Sequence, residues 1–310
     1  MRRRTYILLF MATALATLVA RINNFQLPIF EIQDGIFLYF SFNLVFKLMH
    51  VTKLYYIVNF IRKSVLFHLI EVLAILVFAW SATVNLSYSI QIFALPLRDD
   101  VFLAVDRTLG FDYVLLMTWM SHHRSLSNVL SEVYNLFPPL IILLTLSDLV
   151  LVGDMRVGER FFTSALIAFL LAFIICALLP AAGAASLLDP DTAALATGAT
   201  PLDRLYALRS GDAHQFGRGA AGGLVSFPSM HVAIAILALY AARDVRWLFL
   251  CVLPISLGFC VTALTHGGHY LVDCFAGAAV AAAAIRLNNS FHAFSALRLQ
   301  TSRAYIRSEA

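Results

Sequence analysis

Eight apolar runs dominate the chain, and whatever it folds into must first house them. They cover approximately Tyr6–Ala20, Ile36–Met49, Val65–Leu95, Val129–Val152, Phe161–Leu179, Ser229–Ala242, Trp247–Leu264 and His269–Leu287. A helix needs about 20 apolar residues to cross a bilayer, and these runs fall around that length. Only 13% of the residues are charged and 61% are apolar, against about 25% charged in soluble domains. The expected fold is therefore all-α: a polytopic membrane helix bundle with a six-helix core over residues 65–290. Two further spans precede it in residues 1–64, and a short basic tail follows in residues 291–310. The first run follows Arg2-Arg3-Arg4 and reads as a retained signal-anchor rather than a cleaved signal peptide, because spans keep following it. Glu31 and Asp34 precede the second, whose alternative is a helix lying at the interface.

Charge supports this reading and gives it a direction. Of the 22 basic residues, Arg21, Arg98, Arg107, Arg124, Arg204, Arg209 and Arg218 fall on one side of an eight-span arrangement, and the other 15 on the opposite side. The positive-inside rule then places both termini in the cytoplasm of a plasma or inner membrane. The net charge of +4 is dispersed, and no basic stripe with interleaved aromatics suggests nucleic acid. Cys176, Cys251, Cys260 and Cys274 sit inside apolar runs without metal-type spacing, as small buried side chains do.

Two polar segments interrupt the pattern. Residues 98–128 hold Asp99, Asp100, Asp106, Asp112, His122 and His123, with an amphipathic stretch expected near Phe111–Met120 along the interface. Residues 180–227 form a longer Gly-, Ala- and Asp-containing stretch, a length that suits a lid or a substrate-binding loop.

Chemistry concentrates where two apolar runs begin. Histidines and aspartates are costly at the ends of membrane spans, so their presence reads as functional. In Phe227-Pro228-Ser229-Met230-His231, Pro228 suits a first helical turn. The free N–H groups of that turn and the Ser229 hydroxyl would form a phosphate cradle, with His231 beside it. In His269-Tyr270-Leu271-Val272-Asp273, the histidine and aspartate are four apart and share one face of a helix. A carboxylate on one imidazole nitrogen fixes the tautomer and leaves the other nitrogen free to attack. Both motifs start helices on the same, external side. Two imidazoles and a carboxylate suffice for phosphoryl transfer through a phosphohistidine.

These motifs resemble a known family. Pro228-Ser229-x-His231 is similar to the second signature of the type 2 phosphatidic acid phosphatase superfamily, and His269-x-x-x-Asp273 to its third, with the resemblance extending over the last six spans. Thr265-His266-Gly267-Gly268-His269-Tyr270-x-x-Asp273 and Val105-Asp106-Arg107-Thr108-Leu109-Gly110 resemble the inositol phosphorylceramide synthase branch. The resemblance implies that His269 is the nucleophile, Asp273 its orienting partner and His231 the acid that protonates the leaving oxygen. Two features depart from the pattern. No Arg-Pro dipeptide of the first signature occurs, and Ala263 stands where an arginine usually precedes the nucleophile by six residues. Ser229, Arg218 and His266 are the expected phosphate ligands, with Arg209 and Arg204 next in line, and His214, His122 and His123 read as interfacial residues.

The function expected is a membrane lipid phosphotransferase that moves a phospho-head group between lipids, with a lipid-phosphate substrate drawn from the bilayer. A lipid phosphatase acting on phosphatidate or a polyprenyl pyrophosphate differs only in using water as acceptor. A non-catalytic transporter or haem-binding protein would use His231, His266 and His269 as ligands instead. Histidine chemistry of this type requires no metal or cofactor, and none is expected.

Overall fold

The computed structural model describes residues 65–149, 156–197, 199–212 and 223–308, together with isolated positions between 14 and 22; beyond residue 290 only the backbone is described. The expected span at Ile36–Met49 lies outside these residues, and that at Tyr6–Ala20 nearly so.

All regular structure among the described residues is helical. The order is α1 (Val65–Gln91), α2 (Asp99–Thr108), α3 (Tyr113–His122), α4 (Arg124–Asn135), α5 (Phe137–Leu146), α6 (Val157–Leu178), α7 (Pro190–Ala193), α8 (Leu202–Ser210), α9 (Met230–Ala242), α10 (Arg246–Thr265) and α11 (Leu271–Ser308). Among the described residues, five stretches are long and apolar enough to cross a membrane: Val72–Gln91, Arg124–Leu146, Val157–Leu178, Arg246–Thr265 and Leu271–Ser290. With the shorter α9 they make the six-helix core, and α11 continues unbroken through the basic tail.

The second crossing is two helices because of its prolines. Pro138 and Pro139 lack the N–H groups that would continue the ladder from α4, so the helix stops at Asn135 and restarts at Phe137. α9 lies at the centre, packed by α6, α10 and α11. Val232, Ala233, Ile234, Ala235, Leu237, Ala238, Ala241 and Ala242 are all buried, more than one face of a helix can supply. Small side chains let its neighbours approach closely on every side. Arg160 on α6 pairs with Asp244 just past the end of α9 at 2.6 Å, so the two helices run antiparallel.

Cys251, expected to be buried, is exposed on α10, and three further expectations change in the structure. The amphipathic helices of this region are α2 and α4 rather than Phe111–Met120; α2 buries Phe102 and Asp106 while Val101 and Val105 are exposed. α3 instead has apolar residues on both sides, with Tyr113, Met117 and Met120 inward and Leu115 and Trp119 outward. Pro228 precedes the helix instead of occupying its first turn: Ser229 is the N-cap and Met230 the first helical residue. The third change concerns His269 and is described below.

Candidate active site

Two helix starts meet at one end of the bundle, and they are built differently. At the head of α9, Ser229 donates its N–H to the Asp273 carbonyl at 3.1 Å, which pins this turn to α11. The Ser229 hydroxyl caps no N–H of the first turn. It is buried and has no hydrogen-bond partner. This helix start therefore keeps a buried hydroxyl that no protein group satisfies.

The head of α11 is filled. Its first helical residue is Leu271, so His269 lies before the helix and not on a shared helical face with Asp273. Contact is nevertheless made: His269 Nδ1 donates to Asp273 Oδ2 at 3.2 Å. The same oxygen accepts the Tyr270 N–H at 3.0 Å, as the third residue of a helix does in a capping box. The next two N–H groups, of Leu271 and Val272, go to Asp106 Oδ2 and Oδ1 of α2 at 2.7 and 2.9 Å. Burial raises the Asp106 carboxyl above the usual range, and these two N–H bonds draw it back. The first turn of α11 thus spends its donors on two carboxylates of the protein.

Asp273 is wholly buried and His269 is 5% exposed. The His231 ring lies 6.2 Å from that of His269, centroid to centroid, at 60°. It is held between two aromatic rings from either side of the α4–α5 break, stacked on Tyr134 at 4.4 Å and tilted against Phe137 at 4.3 Å. The edge of Phe259 closes a further side at 6.2 Å. Glycine makes two of these approaches possible. A Cβ on Gly277 would lie 2.3 Å from the Ser229 carbonyl oxygen, and Gly268 turns the chain into His269 at φ +67° with Ala199 and Ala185 against it.

The expected phosphate ligands are placed unevenly. Ser229 stands at the start of α9. His266 is buried, its Nδ1 2.9 Å from Thr265 Oγ1 and its Nε2 3.5 Å from Ser127 Oγ. Burial holds it below the usual histidine pKa. Arg218 and His214 lie outside the described residues. Arg209 donates to Gln91 Oε1 at 3.1 Å and to the Leu95 carbonyl, and Gln91 in turn donates to the Leu224 carbonyl at 2.8 Å. That chain ties α8 and α1 to the segment entering α9. His122 and His123 are exposed and bond back to their own helix. Among the described residues no group of three or more His, Cys, Asp or Glu side chains could hold a metal ion.

Two aromatic residues that hold His231 were not singled out by the sequence. Tyr134 and Phe137 carry no polar signature that separates them from core aromatics. Asp99 and Asp106 were more accessible: they are seven residues apart, with Phe102 between them at helical spacing, on a segment too polar to be a span.

A family model for the PAP2 superfamily matches residues 100–287, from α2 through the apolar part of α11. The chain belongs to the PAP2 superfamily. The match encloses both histidine motifs and all of the helices that meet around them. No curated protein and no solved structure matches the chain. Superfamily membership, with five apolar helices of crossing length, makes this an integral membrane protein whose expected class is lipid phosphatase or phosphotransferase.

Proposed function

We propose that this PAP2 protein is a metal-independent lipid phosphotransferase, inositol phosphorylceramide synthase-like, that moves a phospho-head group from one lipid to another through a phosphohistidine. The observation that carries the reading is the juxtaposition of the His269–Asp273 pair, at 3.2 Å, with His231 at 6.2 Å beside an uncapped helix start. In the first step His269 Nε2 forms a bond to phosphorus while the bond from phosphorus to the lipid oxygen breaks. His231 gives its proton to that oxygen. In the second step an acceptor hydroxyl attacks the phosphohistidine, the P–N bond breaks, and His231 takes the acceptor's proton. Asp273 holds His269 in the tautomer with Nε2 unprotonated and stabilises its charge. Ser229 and the first N–H groups of α9 receive phosphate oxygens, with His266 and Arg218 as further ligands.

The active site is proposed to face the exoplasmic side. Arg156, Arg160, Arg243 and Arg246 gather at the opposite end of α6, α9 and α10, where the positive-inside rule places the cytoplasm.

Detergent-purified protein incubated with head-group-labelled phospholipid, with and without a lipid alcohol acceptor, tests the reaction. Label appearing on the acceptor is the expected result. Label released only as free phosphate or phosphoalcohol, whatever acceptor is supplied, would make the protein a hydrolase. No turnover on either path, with visible absorbance in the purified protein, would favour a haem-binding role.

A further inference from the structure

Three residues on one face of α2 reach the segments that open both α9 and α11. Asp99, Phe102 and Asp106 follow the i, i+3, i+7 spacing of a single helical face. Asp99 accepts the N–H groups of Ala182 and Gly183, both at 2.9 Å, and the Tyr270 hydroxyl at 3.2 Å. Burial, and after it the neighbouring Asp99, raise the Tyr270 pKa, so its hydroxyl stays a donor. Phe102 stacks on Phe227 at 4.3 Å, two residues before Ser229, and tilts against Tyr270 at 6.0 Å. Asp106 takes the first two helical N–H groups of α11.

We propose that α2 is a positioning element for phosphoryl transfer, with Asp106 and the Asp99–Tyr270 pair as positioning residues that fix His269 relative to His231. Tyr270 and Leu271 directly follow His269, so groups that hold their hydroxyl and N–H set where the imidazole sits. Phe227 is gripped from the same face, so both helix starts are referred to one rigid body. Near-attack geometry tolerates little error, and a misplacement of about 1 Å can cost about 100-fold in rate. The Asp106 carboxylate also occupies the α11 dipole, leaving the start of α9 as the open anion site. This inference rests on the reading of His269 as nucleophile.

The fold supplies its own control. Asp148, at the far end of the bundle, caps α6 in the same way, accepting the N–H groups of Gly158 and Glu159 at 2.8 Å each. Asp106→Asn and Asp148→Asn each remove one charged trans cap while retaining one acceptor oxygen. Turnover on the labelled lipid is measured per mole of monodisperse protein, alongside His269→Ala. Asp106→Asn is expected to lower kcat about tenfold with KM within about threefold, and Tyr270→Phe to lower kcat about threefold. Asp148→Asn should leave both constants at wild-type values. A kcat loss in Asp106→Asn no greater than in Asp148→Asn, or a change confined to KM, overturns the proposal. Should Asp106→Asn fail to fold, Tyr270→Phe decides alone, and wild-type kcat there overturns it. Activity surviving in His269→Ala would instead overturn the assignment of the nucleophile.

Discussion

At the scale of single residues, the proposed mechanism divides labour between groups of similar chemistry. Two histidines lie 6.2 Å apart, but only His269 has a carboxylate on its ring; His231 is held by aromatic faces. A carboxylate on one nitrogen makes the other a better nucleophile, whereas aromatic faces fix a ring without directing its protons. His269→Ala is accordingly expected to lose several powers of ten in turnover with membrane insertion intact. Acid-labile label on the wild-type protein but not on the variant would report the phosphohistidine; a variant retaining a tenth of wild-type activity would sink the mechanism. His231→Ala should lose most on lipid substrates, whose alkoxide needs a proton, and much less on an activated aryl phosphate ester. Equal losses on the two would remove the general-acid role.

Between elements, close backbone contact decides the geometry. The start of α9 is pinned to α11 through the Ser229 N–H and the Asp273 carbonyl, and Gly277 is what lets the helices come that close. Gly→Ala within a helix ordinarily stabilises by about 0.5–1 kcal/mol. Here the added methyl meets the Ser229 carbonyl oxygen at 2.3 Å, so the sign reverses. Gly277→Ala should lower the melting temperature in detergent and cut turnover about tenfold or more, since Ser229 must move. A variant with raised stability and full activity would show that the two helix starts are not tightly coupled. Sequence alone conveyed much of this architecture and missed its joints. Spans are legible because about 20 apolar residues must be consecutive, and His231, His269 and Asp273 stood out because polar groups there are costly. The cap from Asp106 was not legible: it joins residues far apart in the chain, which no local periodicity records. Nor was the position of Pro228 one residue before the N-cap, outside the first turn it otherwise suits.

At the scale of the whole molecule, the described core helices carry the chain back and forth so that His231, His269 and Asp273 fall at one end and the Arg160–Asp244 pair at the other. α9 has 13 residues, a length of about 20 Å against a hydrocarbon core of about 30 Å. Non-helical backbone at membrane depth survives only when wrapped by protein, and Ser226, Phe227, Pro228 and Ser229 are all buried. In a background with the exposed Cys251 replaced by serine, a cysteine at Asp212 should react with an impermeant thiol reagent from outside the cell, and one at Arg243 should not. The reverse pattern would invert the topology. The trans cap on α11 also bears on how the protein is made. Asp106 is separated from Leu271 by 165 residues, so α2 leaves the ribosome roughly 8–33 s before the helix it caps. Until then Asp106 has no helix start to hold, Asp99 holds Ala182 and Gly183 without the Tyr270 hydroxyl, and Ser229 has no Asp273 carbonyl to bind. On the proposed mechanism the site is therefore complete only once α11 has been made, and a chain stalled before residue 271 is expected to show no turnover.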